Sequence, residues 1–357
     1  MKNLGVTAVV DQLQQVVEAV ATGEHGLPSS EWRAALKKLA SHLHRPMSLP
    51  DTERVEAVLK TYLRAIFRQH LSGDDARFLA LWQRDLGFVL KYKSYGVKCA
   101  TPLGYSVFLQ NPGEGFSFQR HLTHKTEIFH ILDPLARALV FLCSSKEWEK
   151  AYDGERFQRW LDGAPDAELD RFAVRPRPGD VYHVSELGVI HSVLGCILEE
   201  FATVSTDMVD RLHDQNAGRH EPHVTREAVV TRLRSLRACV PRIAASDAES
   251  AGVIVQGGDV RCYVLANGAI DATRVHLTRA RIELEAHAMR ARVLFTVTGS
   301  ASCAISGPGD APGAIPQAID VRGGDLLMIA PGVKAVLATG DSAIVSIHAI
   351  EPEVALV

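Results

Sequence analysis

The chain has 357 residues, 46% apolar, 6% aromatic and 23% charged, which excludes disordered, collagenous and low-complexity classes and predicts two or three globular units. Its 39 basic and 42 acidic residues leave a formal charge of -3, so no positive field speaks for a nucleic-acid partner. No apolar run approaches the roughly 20 residues that span a bilayer, and no membrane partner is expected. The six cysteines form no C-x-x-C pair and read as free thiols of a reducing compartment, which predicts a cytoplasmic protein.

Residues 1–95 read as an N-terminal helical domain. Leu13, Val16, Val17 and Val20 follow the helical period, as do Val55, Val58, Leu59, Tyr62 and Leu63. Ser30 and Asp51 are candidate N-caps, and short loops predict a packet of about four helices. Basic residues do not cluster on a predicted helix face, so a structural cap or dimerisation platform is expected there rather than a DNA reader; a homodimer is the assembly considered.

The texture changes near Tyr95. Alternating apolar residues run from Lys98 to Phe141, with Pro102-Leu103-Gly104 and Asn111-Pro112-Gly113 as turn signals. Residues 144–170 turn polar and helical, as an insertion, and strand texture resumes from Phe172 to Phe201. A connecting helix is expected at 221–245, and residues 246–357 carry short β runs punctuated by Gly, Asp and Pro. The predicted fold is therefore mainly β, with an α-helical N-terminal region and two β-barrel domains at 96–220 and 246–357.

The segment from Gly115 to Glu127, GFSFQRHLTHKTE, carries the chemistry. Gln119, His121, Lys125 and Glu127 share one parity, so an extended chain turns them to one side, whereas His124 has the opposite parity. A carbonyl oxygen, an imidazole nitrogen and a carboxylate suit Zn²⁺, Fe²⁺, Mn²⁺ or Ni²⁺. Downstream, Pro178-Gly179-Asp180 leads to Gly188-Val189-Ile190-His191, a second isolated imidazole. Parity leaves open whether Gln119 or His124 completes the ligand set. Lys125, beside Glu127, is a candidate catalytic residue, with Glu200 as a further candidate for proton shuttling. His130 and His183 read as half-buried strand residues.

These two segments resemble the two motifs of a cupin barrel, with Gln119 in the place of the first histidine. The nearer resemblance is to mannose-6-phosphate isomerases of the type I zinc class, which carry a Gln-x-His pair and a His-Lys-Pro-Glu motif; here stand Gln119-Arg120-His121 and His124-Lys125-Thr126-Glu127. The stretch 195–215 is similar to the family's strand and turn ending in a catalytic arginine, which maps to Arg211. The resemblance covers residues 100–215 well and the C-terminal barrel loosely. Thr126 replaces the family's proline, and the family's long segment between the two motifs is missing. The resemblance implies a jelly-roll bicupin holding one divalent ion, zinc foremost, through Gln119, His121, Glu127 and His191. It further implies aldose–ketose isomerisation of a sugar or sugar phosphate through a cis-enediol, with Arg211 as a fork for phosphate or enediolate.

The C-terminal half reads as a cupin without its metal: His287 stands alone, and Lys334 occupies the place of a ligand histidine. Because one fold hosts many chemistries, an Fe²⁺-dependent cupin oxygenase or lyase acting on a small polar acid is the alternative function. A non-catalytic sugar-binding protein is a third.

Overall fold

The computed structural model describes residues 89–93, 96–100, 104–121, 125–185, 188–203, 209–213, 240–268, 270–287, 290–306, 317–329 and 332–350. The helices expected over residues 1–88, His124 and most of the expected connecting helix lie outside these residues. Within the range expected to be helical, Val89–Lys93 is strand β1, paired antiparallel with β2 (Gly96–Ala100). The two segments VLKYK and GVKCA set Val89, Tyr92 and Val97 among lysines, residue types that suit paired strands.

The chain forms two antiparallel, barrel-like sheets. The first has nine strands and is organised on β8 (Val189–Ala202). Along one edge β8 pairs with β5 (Glu127–Ser144) over nearly its whole length. Along the other it meets β3 (Tyr105–Gln110) in its second half and β4 (Phe118–His121) at His191. Strand β9 (Val209–His213) extends the sheet beyond β4, while β6 (Ala173–Val174) and β7 (Val181–Val184) pair with β5. The second sheet has seven strands, β10 (Ile254–Ala266) to β16 (Ser342–Ile350), in which β11 (Ile270–Leu284) and β12 (Ala291–Ser306) each pair with β16.

Three short helices, α1 (Ser145–Ala151), α2 (Gly154–Leu161) and α3 (Ala167–Asp170), occupy the insertion. Their starts are written locally. Ser144 and Glu147 form a capping box, and the carboxylates of Asp153 and Asp166 accept from the first-turn amides of α2 and α3. Phe157 and Trp148 of these helices pack on Phe118, Phe141 and Ile190 of the sheet, with the Phe157 ring 4.7 Å from that of Phe118 and 5.0 Å from that of Trp148.

The opposite face of the sheet carries Phe108, Phe116, Phe129, Ile131, Val193, Cys196 and Leu198, which form the barrel interior. Val193 and Cys196 share that interior although their numbers differ by three. The reset occurs at Gly195, which has φ +62°, opposite an irregularity in β5 between Pro134 and Leu139. Consequently His191 and Val193 face inward before the bulge, and Cys196, Leu198 and Glu200 face inward after it.

Candidate metal centre

Three donor groups converge at the inner ends of β4, β5 and β8. His121 ends β4, Glu127 begins β5, and His191 lies near the start of β8. The His121 Nε2 and His191 Nε2 atoms each lie 3.2 Å from Glu127 Oε2, and the two imidazoles stack with centroids 4.9 Å apart. All three side chains are buried, yet His121 Nε2, His191 Nε2 and Glu127 Oε2 make no hydrogen bond. Buried polar atoms without partners are costly. A divalent ion resolves that cost, because ligand atoms bonded at about 2.0–2.2 Å to one ion stand about 3 Å from each other. The residues present therefore fit such an ion.

The surroundings prepare the donors. His191 Nδ1 lies 3.2 Å from the Val189 carbonyl, which can only accept, so the proton sits on Nδ1 and the Nε2 lone pair faces the cluster. Lys125 Nζ holds Glu127 Oε1 at 2.5 Å and leaves Oε2 for the histidines. Burial acts to raise the Glu127 carboxyl, but Lys125 and then His121 outweigh it and hold the group well below the usual carboxylate range. Lys125 is only 8% exposed and lies 3.9 Å from Glu200 Oε1. The bulge at Gly195 is what turns Glu200 toward it.

The remaining candidates fall around this cluster. Gln119 stands opposite His191 on β8 and opposite Arg211 on β9, so the three form one row across β8, β4 and β9. The Gln119 carbonyl oxygen accepts from the Ser117 hydroxyl at 2.8 Å. Arg211 is half-buried at its register position, and its neighbour Asp210 pairs with Arg120, Nη2 to Oδ2, at 2.9 Å. In the second sheet His287 is exposed and its Nδ1 accepts from the Arg290 amide at 3.1 Å, while Lys334 pairs with Glu283. Among the described residues, His121, Glu127 and His191 are the one grouping of histidine, cysteine or carboxylate ligands close enough to share an ion.

Two histidines differ from their expected burial. His183 is exposed, and His130 is fully buried, with Nδ1 2.9 Å from Glu199 Oε2. Glu199 also receives Arg274, Tyr105 and Ser346. The sequence carries no spacing signal for this group, since Arg274 and Ser346 lie 75 and 147 positions from Glu199. One cue was available: Glu199 and Glu200 are consecutive acids directly after the apolar run Val193–Leu198, so at least one had to be buried with a partner.

No protein-family model matches the chain, and no curated protein matches it. Among solved structures it is similar to oxalate decarboxylase from Bacillus subtilis, at 13% identity and a TM-score of 0.42, covering 73% of each chain. It is also similar to the formate complex of Lactobacillus farciminis oxalate decarboxylase, at 12% identity and a TM-score of 0.42, covering 74% of this chain and 83% of that one. Procruciferin, an 11S globulin of Brassica napus, gives 11% identity and a TM-score of 0.44, covering 74% and 82%. A likeness of this degree specifies neither activity nor substrate.

Proposed function

We propose that the chain is a cupin-type metalloenzyme that binds one divalent ion through His121, Glu127 and His191 and acts on a small, oxygen-rich acid as a lyase or oxygenase. The observation that carries this reading is the convergence of three buried donor atoms with no hydrogen-bond partner. Two imidazoles and one carboxylate form the set that non-haem Fe²⁺ oxygenases use, with coordination positions left for substrate. The Ser117 hydroxyl on the Gln119 carbonyl supports three protein ligands rather than the four implied by the isomerase resemblance.

When bound, the ion supplies Lewis acidity toward a substrate oxygen. Lys125 fixes the orientation of Glu127, and its ammonium offers a donor to charge developing on the substrate. Glu200 faces Lys125 across 3.9 Å, so the two form a buried pair able to give or take one proton. Arg211, two strands away from His191 in the same row, suits a carboxylate of the substrate. Phe129, whose ring centroid lies 6.2 Å from that of His191, lines the apolar side of the centre and excludes water.

A second reading, a zinc-dependent aldose–ketose isomerase acting on a sugar or sugar phosphate, is favoured by the same Lys125–Glu200 pair, because proton transfer between adjacent carbons needs such a group beside the ion. Elemental analysis of untagged protein, beside His121→Ala, separates the two readings. Iron or manganese in stoichiometric amount, with O₂ uptake or CO₂ release from a panel of small carboxylic acids, is the expected result. Stoichiometric zinc, with solvent exchange of the C2 proton of an aldose or aldose phosphate, moves the isomerase to first place. No metal in the wild type after reconstitution refutes both.

A further inference from the structure

Glu199 and Glu200 are neighbours on β8 that face opposite ways. Glu200 points into the barrel toward Lys125, and Glu199 points out, between the two sheets. There both carboxylate oxygens are saturated. Oε1 accepts from the Tyr105 hydroxyl at 2.7 Å and the Ser346 hydroxyl at 2.6 Å; Oε2 accepts from Arg274 Nη2 and lies 2.9 Å from His130 Nδ1. Tyr105 and His130 belong to the first sheet, Arg274 and Ser346 to β11 and β16 of the second. None of these five side chains is more than 1% exposed.

An ion pair sealed from water stabilises a fold poorly, because desolvating both charges offsets most of their attraction; its best-attested use is to specify register. Strand β8 needs such a specification. Its parity is reset at Gly195, and a bulge that slides by one residue turns every following side chain to the other face. A slide in one direction would bring Glu199 to the place beside Lys125, so the barrel interior by itself discriminates weakly against it. The same slide would set Leu198 against Arg274 and leave that guanidinium buried without a counter-ion. A slide in the other direction would send Phe201 inward and deprive Lys125 of Glu200. Arg274 therefore rejects the first error and Lys125 the second.

We propose that Arg274, together with Ser346, is a positioning residue for the metal centre: by fixing Glu199, the C-terminal sheet sets the register of β8 beyond Gly195, and with it the place of Glu200 and the bearing of the strand that carries His191. This gives the second sheet, which brings no ligand to the centre among the described residues, a part in the chemistry of the first. The inference deepens the reading of the centre and rests on it.

The test uses the full-length double variant Glu199→Gln/Arg274→Met, which removes both charges at similar volume, with Co²⁺ as probe. Removing both charges together avoids the uncompensated buried charge that either single substitution would leave. The expected result is a cooperatively folded protein, an altered Co²⁺ visible spectrum, and Co²⁺ release to a chelator faster by on the order of tenfold, the lower end of what residues behind metal ligands contribute. Identical spectra and release rates in the two proteins overturn the proposal, because a merely structural network would leave them unchanged. Should the double variant fail to fold, Ser346→Ala removes one donor to Glu199 and is read in the same way: faster release supports the proposal and unchanged release overturns it. A wild type that takes up no Co²⁺ sinks the reading of the centre itself, and the inference falls with it.

Discussion

Acid titration of the buried Glu199 carboxylate gives a quantitative test of the interface between the sheets. Burial acts to raise this carboxyl, but Arg274, and then His130 and Ser346, overcome it and hold the group at about 2. Its folded value thus lies below the unfolded value of about 4.3, so the stability it contributes is complete above that pH and is lost as pH falls toward 2. Between about pH 4.5 and 3 the loss runs at about 1 kcal/mol per pH unit, or on the order of 1–2 kcal/mol in all. Glu199→Gln removes this titration and strands Arg274, at a cost of about 3–5 kcal/mol near pH 7. Urea unfolding followed by far-ultraviolet circular dichroism, at a series of pH values, measures both proteins. The stability gap between them should shrink by on the order of 1–2 kcal/mol over that acid interval. A gap that stays constant with pH would refute the reasoning, since it would mean that Glu199 is not held ionised by its neighbours.

Three further outcomes follow from the geometry. Phe157→Ala should destabilise the protein by about 3–5 kcal/mol in chemical denaturation, because its fully buried ring holds α2 against Phe118 and Phe141; a loss below about 1 kcal/mol would contradict that packing. Gly104→Ala should cost more than about 1 kcal/mol in the same assay, since φ is +74° and a Cβ would fall 1.9 Å from the Ala202 carbonyl oxygen; wild-type stability would show that the β3 turn relaxes freely. His191→Ala should abolish stoichiometric metal in elemental analysis whereas His287→Ala keeps it, because the grouping of possible ligands among the described residues is His121, Glu127 and His191; metal loss in the His287 variant would place an ion in the C-terminal sheet.

The meeting of His121, Lys125 and Glu127 was foreshadowed by their closeness along the chain, although His121 ends β4 and Glu127 begins β5, so no single extended face carries them; the Pro-Gly-Asp turn before the second histidine marked where the chain returns. The caps Ser144, Asp153 and Asp166 went unread in the sequence, although each answers to amides only two or three residues away. Parity stops being readable at Gly195. Counting by twos from His191 places Glu199 inside and Glu200 outside, and the bulge reverses both. Composition determined that the chain is globular, and local alternation with Gly, Pro and Asp punctuation that its β-rich regions alternate with turns. Tertiary structure decided which of two adjacent glutamates meets Lys125 and which meets Arg274. Such a choice depends on contacts between residues far apart in the chain, and on the cost of burying a charge without its partner.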